Sequence, residues 1–480
     1  MIAGNGPVWN PHERVQVYTS PLWYFVLSFV RLFSKDVFIN AIITSFILWL
    51  STVLVIKKIF KNNSILFLSI LLLSASTAFF DYTSSGLENV LAYLLLSIYF
   101  LNYLAFSGFS ISDKEVKPEL RMKVILLMFG LILCIRHDLA LLLLPPTIYV
   151  VSKNSTIFSK KQWFLWVIVS LSPFILFTLF SLIYYGFPFP NTASAKLNTG
   201  IDKIELYNQG IEYLISSLKF DIITLGVISG ALAITIFISN NRNLKYFGLG
   251  IILNLIYVVS IGGDFMQGRF LSYSYLVSVI ILLLWFSKVK SRKSLIATTS
   301  LVIFFLVFYP HTPFNSPLNY KNRKIMMGIA DERGHYFEHL SLYKYILHDH
   351  ENTVLPDYIP ADEGIKFKEA TENIVIQKNV GVFGYYSGTE KIIIDRYAIT
   401  DPLLARLPVP GWWRIGHFRR EVPPGYINSV SDGTEVIENS MLNDYYKKVK
   451  IITQDPDLFA PQRIKTIVLF NLGFYNYLLQ

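Results

Sequence analysis

The chain has 480 residues, of which 53% are hydrophobic, 15% aromatic and only 16% charged. Soluble globular chains carry about a quarter charged residues, so this composition excludes an ordinary soluble protein and points to a membrane. The formal net charge of +10 does not mark a nucleic-acid binder, because the lysines and arginines sit in short clusters between apolar runs, a topological pattern. Cys134, the single cysteine, lies in an apolar stretch and leaves no disulfide framework or cysteine metal site.

Residues 1–36 contain no secretory signal and read like the middle of an extracytoplasmic loop, which predicts a helix upstream of the given sequence. Within them, Ser20 to Phe33 is apolar and carries Trp23, Tyr24 and Phe25, as suits an interfacial helix lying along the membrane surface. Ten candidate transmembrane spans follow, on the criterion that a bilayer core of roughly 30 Å needs about twenty helical residues. They are Val37 to Ile56, Ser64 to Phe80, Leu87 to Phe106, Val124 to Ile135, Leu139 to Val151, Trp163 to Tyr185, Phe220 to Ile238, Tyr246 to Ile261, Phe270 to Phe286 and Ser294 to Tyr309. If they alternate, one side receives the basic groups Lys57, Lys58, Lys61; Lys114, Lys117, Arg121, Lys123; Lys153, Lys160, Lys161; Arg242, Lys245; and Lys288, Lys290, Arg292, Lys293. Lys and Arg are retained on the cytoplasmic side of short loops, so the N-terminal segment and the chain after Tyr309 are both predicted outside.

The outer face then collects the polar motifs. They are Asn10-Pro11-His12-Glu13-Arg14, Tyr18 to Trp23, Asp81 to Glu88, Arg136-His137-Asp138, Tyr184 to Thr192 with Lys196, and Gly262 to Arg269. Ionisable groups at span ends are costly unless they pair or face a wet cavity, so such a gathering marks a functional site. A sugar carried on a polyprenyl phosphate fits it: the departing phosphate needs cations rather than a proton, which Arg269, Arg136 and Lys196 could supply. The acceptor hydroxyl needs a base, for which the carboxylates of Asp264, Asp138 and Asp81 are candidates. Glycines beside Asp264 permit close backbone approach. Glu88, Asn191, His137 and Trp23 are candidate substrate contacts. No cofactor is required by this reading, and a divalent metal is left open.

Each motif also has a structural reading. Asp81 and Glu88 could cap or favour the helix that begins near Leu87. Arg136 and Asp138 could be a mutual ion pair holding two short helices, and Asp264 with Arg269 a pair at a helix start. Solvation in a long loop would account for Lys196 and Asn191. His12 and Glu13 match no metal spacing and read as a solvated loop.

From Pro310 to Gln480 the composition is that of a soluble domain, α/β or α+β. Asn373 to Phe383, Lys391 to Ile394, Val449 to Ile452 and Ile464 to Phe470 read as strands; Tyr336 to Leu347 and Asp401 to Leu407 read as helices. Tyr385, Tyr386, Trp412 and Trp413 offer flat faces for polysaccharide or for packing. His348, Asp349 and His350 have a spacing that a metal could use, though a solvated helix end explains it as well.

The series Asn10 to Val15, Tyr18 to Trp23, Thr83 to Glu88, Arg136-His137-Asp138, Pro190-Asn191-Thr192-Ala193 with Lys196, and Gly263 to Arg269 resembles a known family. So do Asp395-Arg396, Asp401 to Pro408 and Arg414 to Phe418. The chain looks like the actinobacterial terminal arabinofuranosyltransferases and their relatives in other bacteria, over nearly its whole length. The resemblance implies an all-α polytopic bundle of the GT-C class with an extracytoplasmic C-terminal domain, in a bacterial cytoplasmic membrane. It further implies transfer of a sugar, a pentofuranose among the candidates, from a polyprenyl-phosphate donor to lipopolysaccharide, capsule or cell-wall polysaccharide, with inversion. Members use an acidic residue of the first outer loop; here the matching position would stand upstream of Asn5, and nothing transfers that role to Glu13. Two other functions are weighed against the enzyme: a glycan or lipid flippase, which would show internal repeats or mid-membrane charges, and a non-catalytic assembly protein.

Overall fold

The computed structural model describes residues 4–107, 116–289, 291–315, 327–347, 358–434 and 436–479. Helices make up nearly all of its regular structure. In chain order they are α1 (Pro21–Val30), α2 (Val37–Ile59), α3 (Asn63–Ala75), α4 (Thr77–Phe80), α5 (Asn89–Leu104), α6 (Pro118–Leu133), α7 (Leu139–Lys153), α8 (Lys160–Tyr184), α9 (Asn191–Leu197), α10 (Lys203–Phe220), α11 (Ile222–Ala233), α12 (Arg242–Ser260), α13 (Ser272–Val289) and α14 (Arg292–Phe308). There follow α15 (Glu332–Leu340), α16 (Leu342–Leu347), α17 (Ile359–Glu369), β1 (Ile374–Gln377), α18 (Val380–Ser387), β2 (Ile392–Asp395), α19 (Tyr426–Ser431), α20 (Ser440–Gln454) and α21 (Pro461–Asn471). Contacts divide the chain into two units: Met1–Thr19, Ile175–Asp202 and Tyr336–Gln480 form one, and Ser20–Phe174 with Lys203–His335 the other.

The larger unit is built from apolar helices. The ten stretches predicted as spans lie mostly in helices, although Ser64 to Phe80 is broken at Ser76. Among the described residues, four helices are able by length and composition to cross a membrane: Val37–Ile59, Lys160–Tyr184, Arg242–Ser260 and Arg269–Lys288; the number rises to six if two bent pairs each count as one span. The first is set by its ends: Asp36 Oδ1 accepts from Ile39 N at 3.0 Å, and Lys57 and Lys58 stand in the last turn, complementing the helix dipole. Its face carrying Ile43, Phe46, Ile47, Leu50 and Leu54 is exposed, an apolar surface suited to lipid rather than water. By contrast α5 is buried nearly all round, with Val90, Ala92, Tyr93, Tyr99 and Tyr103 fully enclosed, as is α13 through Tyr273, Tyr275, Leu276 and Ile281. A helix apolar on every side belongs at the centre of a bundle.

Two bends are tied together by one carboxylate. The chain turns by 88° between Asn63–Ala75 and Thr77–Thr83, and by 109° between Lys203–Phe220 and Ile222–Ile238. Asp221 sits in the second break with 3% exposure. Its Oδ2 accepts from Thr224 Oγ1 (2.6 Å), Ala78 N (2.9 Å), Thr77 Oγ1 (3.0 Å) and Ser76 Oγ (3.2 Å), the last three from the first break. Breaking a helix frees backbone and hydroxyl donors in an apolar setting, and the carboxylate satisfies them.

The smaller unit contains a two-stranded parallel sheet, Ile374↔Ile392 to Gln377↔Asp395, with α18 as the crossover. The side chain of Asn10 bonds to Ile393 in both directions, Nδ2 to O at 3.2 Å and Oδ1 from N at 3.0 Å. A core of Ile394, Leu403, Leu404, Tyr426, Tyr445, Tyr446 and Val449 closes around it. Arg463 is fully buried and donates to the carbonyls of Ile452, Leu458, Ile183 and Tyr184. With Arg14 Nε also on Tyr184 O (3.1 Å), two cations meet the carbonyl end of α8. Burial, with the nearby charge of Arg14, pushes the Arg463 guanidinium down to about 10 against the pull of Asp455 and Asp457.

Several sequence expectations for this region are corrected. Val449 to Ile452 and Ile464 to Phe470 are not strands; they lie in α20 and α21. Four β-branched or apolar residues mimic a strand locally, but α20 buries Tyr445, Tyr446, Val449, Ile452 and Thr453, a helical spacing that only the longer window reveals. The strand expected from Asn373 to Phe383 stops at Gln377 and gives way to α18. Of Asp401 to Leu407 only Leu404–Arg406 is a turn of 3-10 helix, and Asp401 caps its start by accepting from the amides of Leu403 and Leu404. Tyr336 to Leu347 is helical as expected, in α15 and α16. His348, Asp349 and His350 lie outside the described residues.

Candidate active site

The polar groups of the larger unit converge where α5, α7 and α13 begin. Arg136 is the hub. Its Nε and Nη2 donate to Asp138 Oδ1 and Oδ2 at 2.9 and 3.1 Å, and its Nη1 to Glu88 Oε1 at 3.3 Å. Glu88 and Asp138 occupy the residues immediately before α5 and α7, yet neither side chain caps its helix. Both turn to the same arginine instead, so the capping reading of Glu88 is replaced by an ion pair. The guanidinium carbon also lies 4.3 Å from the ring centre of Phe270 and 5.4 Å from that of Tyr273, where the ring quadrupoles add attraction.

The second cation is placed by the glycine-rich turn before α13. Gly263 has φ +72° and a side chain there would strike the Tyr213 ring; Gly268, at φ +74°, packs on Ala78. These two close approaches explain the glycines flanking Asp264. Tyr213 Oη donates to Met266 O (3.2 Å) and accepts from Phe270 N (3.2 Å), and Tyr82 Oη donates to Gln267 O (3.0 Å). Residues around Ala330 add a bridge: Ala330 N to Phe265 O at 2.8 Å and Gln267 N to Ala330 O at 3.0 Å. So held, Asp264 accepts from Phe265 N through Oδ1 (3.0 Å) and meets Arg269 Nε through Oδ2 at 2.7 Å, close as an ion pair but out of line for a hydrogen bond. Arg269 lies 5.0 Å from the Phe270 ring centre, so the one ring carries both arginines. Its two terminal nitrogens make no hydrogen bond among the described residues. Those of Arg136 are taken up by carboxylates.

The remaining candidates fall into place as follows. Asp81 pairs with Arg333 Nη1 at 2.9 Å. His137 sets its ring edge-on to Phe174 at 5.3 Å. Trp23 is buried and donates Nε1 to Gly86 O at 2.9 Å, fastening α1 to the loop that leads to Glu88. Asn191 and Lys196 belong to the smaller unit, on α9. Asn191 is buried with its amide committed to the carbonyls of Ala398, Ile399 and Asp401 and its oxygen to Arg406 Nη1, a structural pin in place of the solvated loop. Lys196 is half-buried.

His12 is exposed, in a left-handed conformation (φ 64°). Glu13 departs from the expected solvated loop: desolvation, then the charge of Asp401, pushes its carboxyl up to about 8. Asp401 is itself buried, accepting from Leu403 N, Leu404 N and Tyr426 Oη, and burial raises it to about 7.

Sequence reasoning missed Arg333, Phe270, Tyr273, Tyr213 and Asp221. Asp221 carried a signal, a lone acid opening an apolar run; the aromatic residues had none to separate them from core. Among the described residues no three His, Cys, Asp or Glu side chains are grouped to hold a metal ion.

Comparison with protein-family models, curated proteins and solved structures gives no match. Among the described residues the protein is predominantly helical, with four to six helices able by length and composition to cross a membrane and a charged, aromatic-lined cluster where α5, α7 and α13 begin.

Proposed function

We propose that this protein is a membrane glycosyltransferase that moves a sugar from a polyprenyl-phosphate donor to an extracytoplasmic glycan, with inversion. The observation that carries the reading is Arg269, whose terminal donors are open while Asp264 and Phe270 hold its other side. A phosphate that leaves with a bonding electron pair is stabilised by such a guanidinium, and the apolar helices alongside suit a prenyl tail. Arg136, engaged by two carboxylates, serves to orient them. In this reading the chain crosses a bacterial cytoplasmic membrane ten times, with residues 310–480 outside, in keeping with its resemblance to the terminal arabinofuranosyltransferases. The acceptor is a lipopolysaccharide, capsular or cell-wall glycan.

The test is incubation of the purified protein with farnesyl-phosphate-linked arabinofuranose, ribofuranose, glucose and mannose and synthetic oligosaccharide acceptors. Transfer from at least one donor is expected; absence of both transfer and donor hydrolysis across the panel would remove the enzyme reading.

A further inference from the structure

Resting on that reading, we infer that Glu88 is the base that takes the proton from the acceptor hydroxyl. Of the candidate carboxylates Asp81, Glu88, Asp138 and Asp264, three are committed among the described residues. Asp138 gives both oxygens to Arg136, Asp264 gives one to Phe265 N and the other to Arg269, and Asp81 is held by Arg333. Glu88 gives only Oε1, to Arg136 at 3.3 Å; Oε2 makes no hydrogen bond among the described residues. The side chain is 9% exposed, and it does not serve as the cap of α5 although it occupies the cap position. A carboxylate turned away from its own helix, anchored by one oxygen and open at the other, is placed to receive a proton.

Two further polar atoms point to a hydroxylated ligand there. Tyr273 and Asn89 are completely buried, and the Tyr273 hydroxyl and the Asn89 amide oxygen have no hydrogen-bond partner. Asn89 follows Glu88 in the chain, and the Tyr273 hydroxyl feels the charges of both Arg136 and Glu88. Buried polar atoms are ordinarily paired; one hydroxyl donor and one amide acceptor, left unpartnered on the two helices that start at this cluster, complement the hydroxyls of a sugar. Arg269 and the Arg136 that holds Glu88 lie over the same Phe270 ring, 5.0 and 4.3 Å from its centre, which sets the phosphate ligand near the base.

The step balances without a co-reactant. The acceptor oxygen bonds to the anomeric carbon while the bond from that carbon to the phosphate oxygen breaks. The bonding pair leaves on the polyprenyl phosphate beside Arg269, and the acceptor proton passes to Glu88 Oε2.

The experiment compares the full chain with its Glu88→Gln and Glu88→Asp variants in detergent, using the donor panel above. Glu88→Gln is expected to lower kcat about 100-fold or more and to bind farnesyl phosphate as wild type does. Glu88→Asp, with a shortened carboxylate, is expected to fall between. Wild-type turnover in Glu88→Gln overturns the assignment and leaves the transferase reading standing. If Glu88→Gln does not fold, the test passes to Glu88→Asp: reduced kcat with wild-type thermal stability supports the role, and undiminished kcat overturns it. A wild-type protein inactive with every donor removes the transferase reading and this role together.

Discussion

Arg136 and Asp138, two residues apart, are joined by two hydrogen bonds of 2.9 and 3.1 Å, and this local fork holds the guanidinium that reaches across to Glu88. Asp138→Asn removes the charge while keeping the shape, leaving Arg136 with Glu88 alone. Breaking a buried pair from one side costs about 3 kcal/mol, so thermal unfolding in detergent should shift down clearly. An unchanged midpoint would mean that the pair contributes nothing to the fold.

Arg269 has a different expected signature. Arg269→Ala should lower transfer by about 100-fold or more, the usual loss on removing a charge-stabilising donor, while farnesyl phosphate binding weakens. Full turnover in this variant would dismiss its role at the phosphate.

Asp221 accepts four hydrogen bonds across two helix breaks. Asp221→Ala leaves these donors unpaired in an apolar interior, at about 1–3 kcal/mol each where nothing replaces the acceptor. The variant should lose several kcal/mol of stability in a denaturation titration, and Asp221→Asn less. Equal stability of all three proteins would contradict the account of the bends.

Acid should stabilise the smaller unit. Glu13 rises from 4.5 to about 8 and Asp401 from 3.8 to about 7 on folding. A carboxyl with a raised folded value favours the folded state while protonated, so its contribution is complete below about 4 and is lost as pH climbs through 7 to 8. Glu13→Gln should therefore raise the unfolding temperature at pH 8.5 and change it little at pH 4. The same shift at both pH values would refute the linkage.

The side assignment is testable by impermeant maleimide labelling of Ser84→Cys and Ser291→Cys in intact cells. Only the first should react from outside. Labelling of the second alone would invert the topology and the proposed mechanism with it.

The helical stretches were legible because their apolar runs exceed anything a soluble helix needs. Asp264 and Arg269 were legible for a related reason: two charges and three glycines within eight residues form a local pattern. The Arg136–Asp138 pair, also local, was one of two readings the sequence offered. The contact from Arg136 to Glu88, 48 residues away, and that from Arg333 to Asp81, 252 residues away, left no trace in spacing. Asn191 misled because its loop is polar in sequence but buried against carbonyls that lie more than two hundred positions later. In α20 a four-residue run could not distinguish a period of two from 3.6, and packing decided it.

The paired bonds from Asn10 to Ile393 meet β2 on the side away from β1, which takes its bonds from Ile392 and Arg396. A sheet of two strands leaves an open row of amides and carbonyls, a template on which a second chain can add a strand and begin to aggregate. One amide side chain from the start of the sequence plugs that row at its middle. The N-terminal segment thus closes the β2 edge at Ile393, standing in for a third strand with a single side chain.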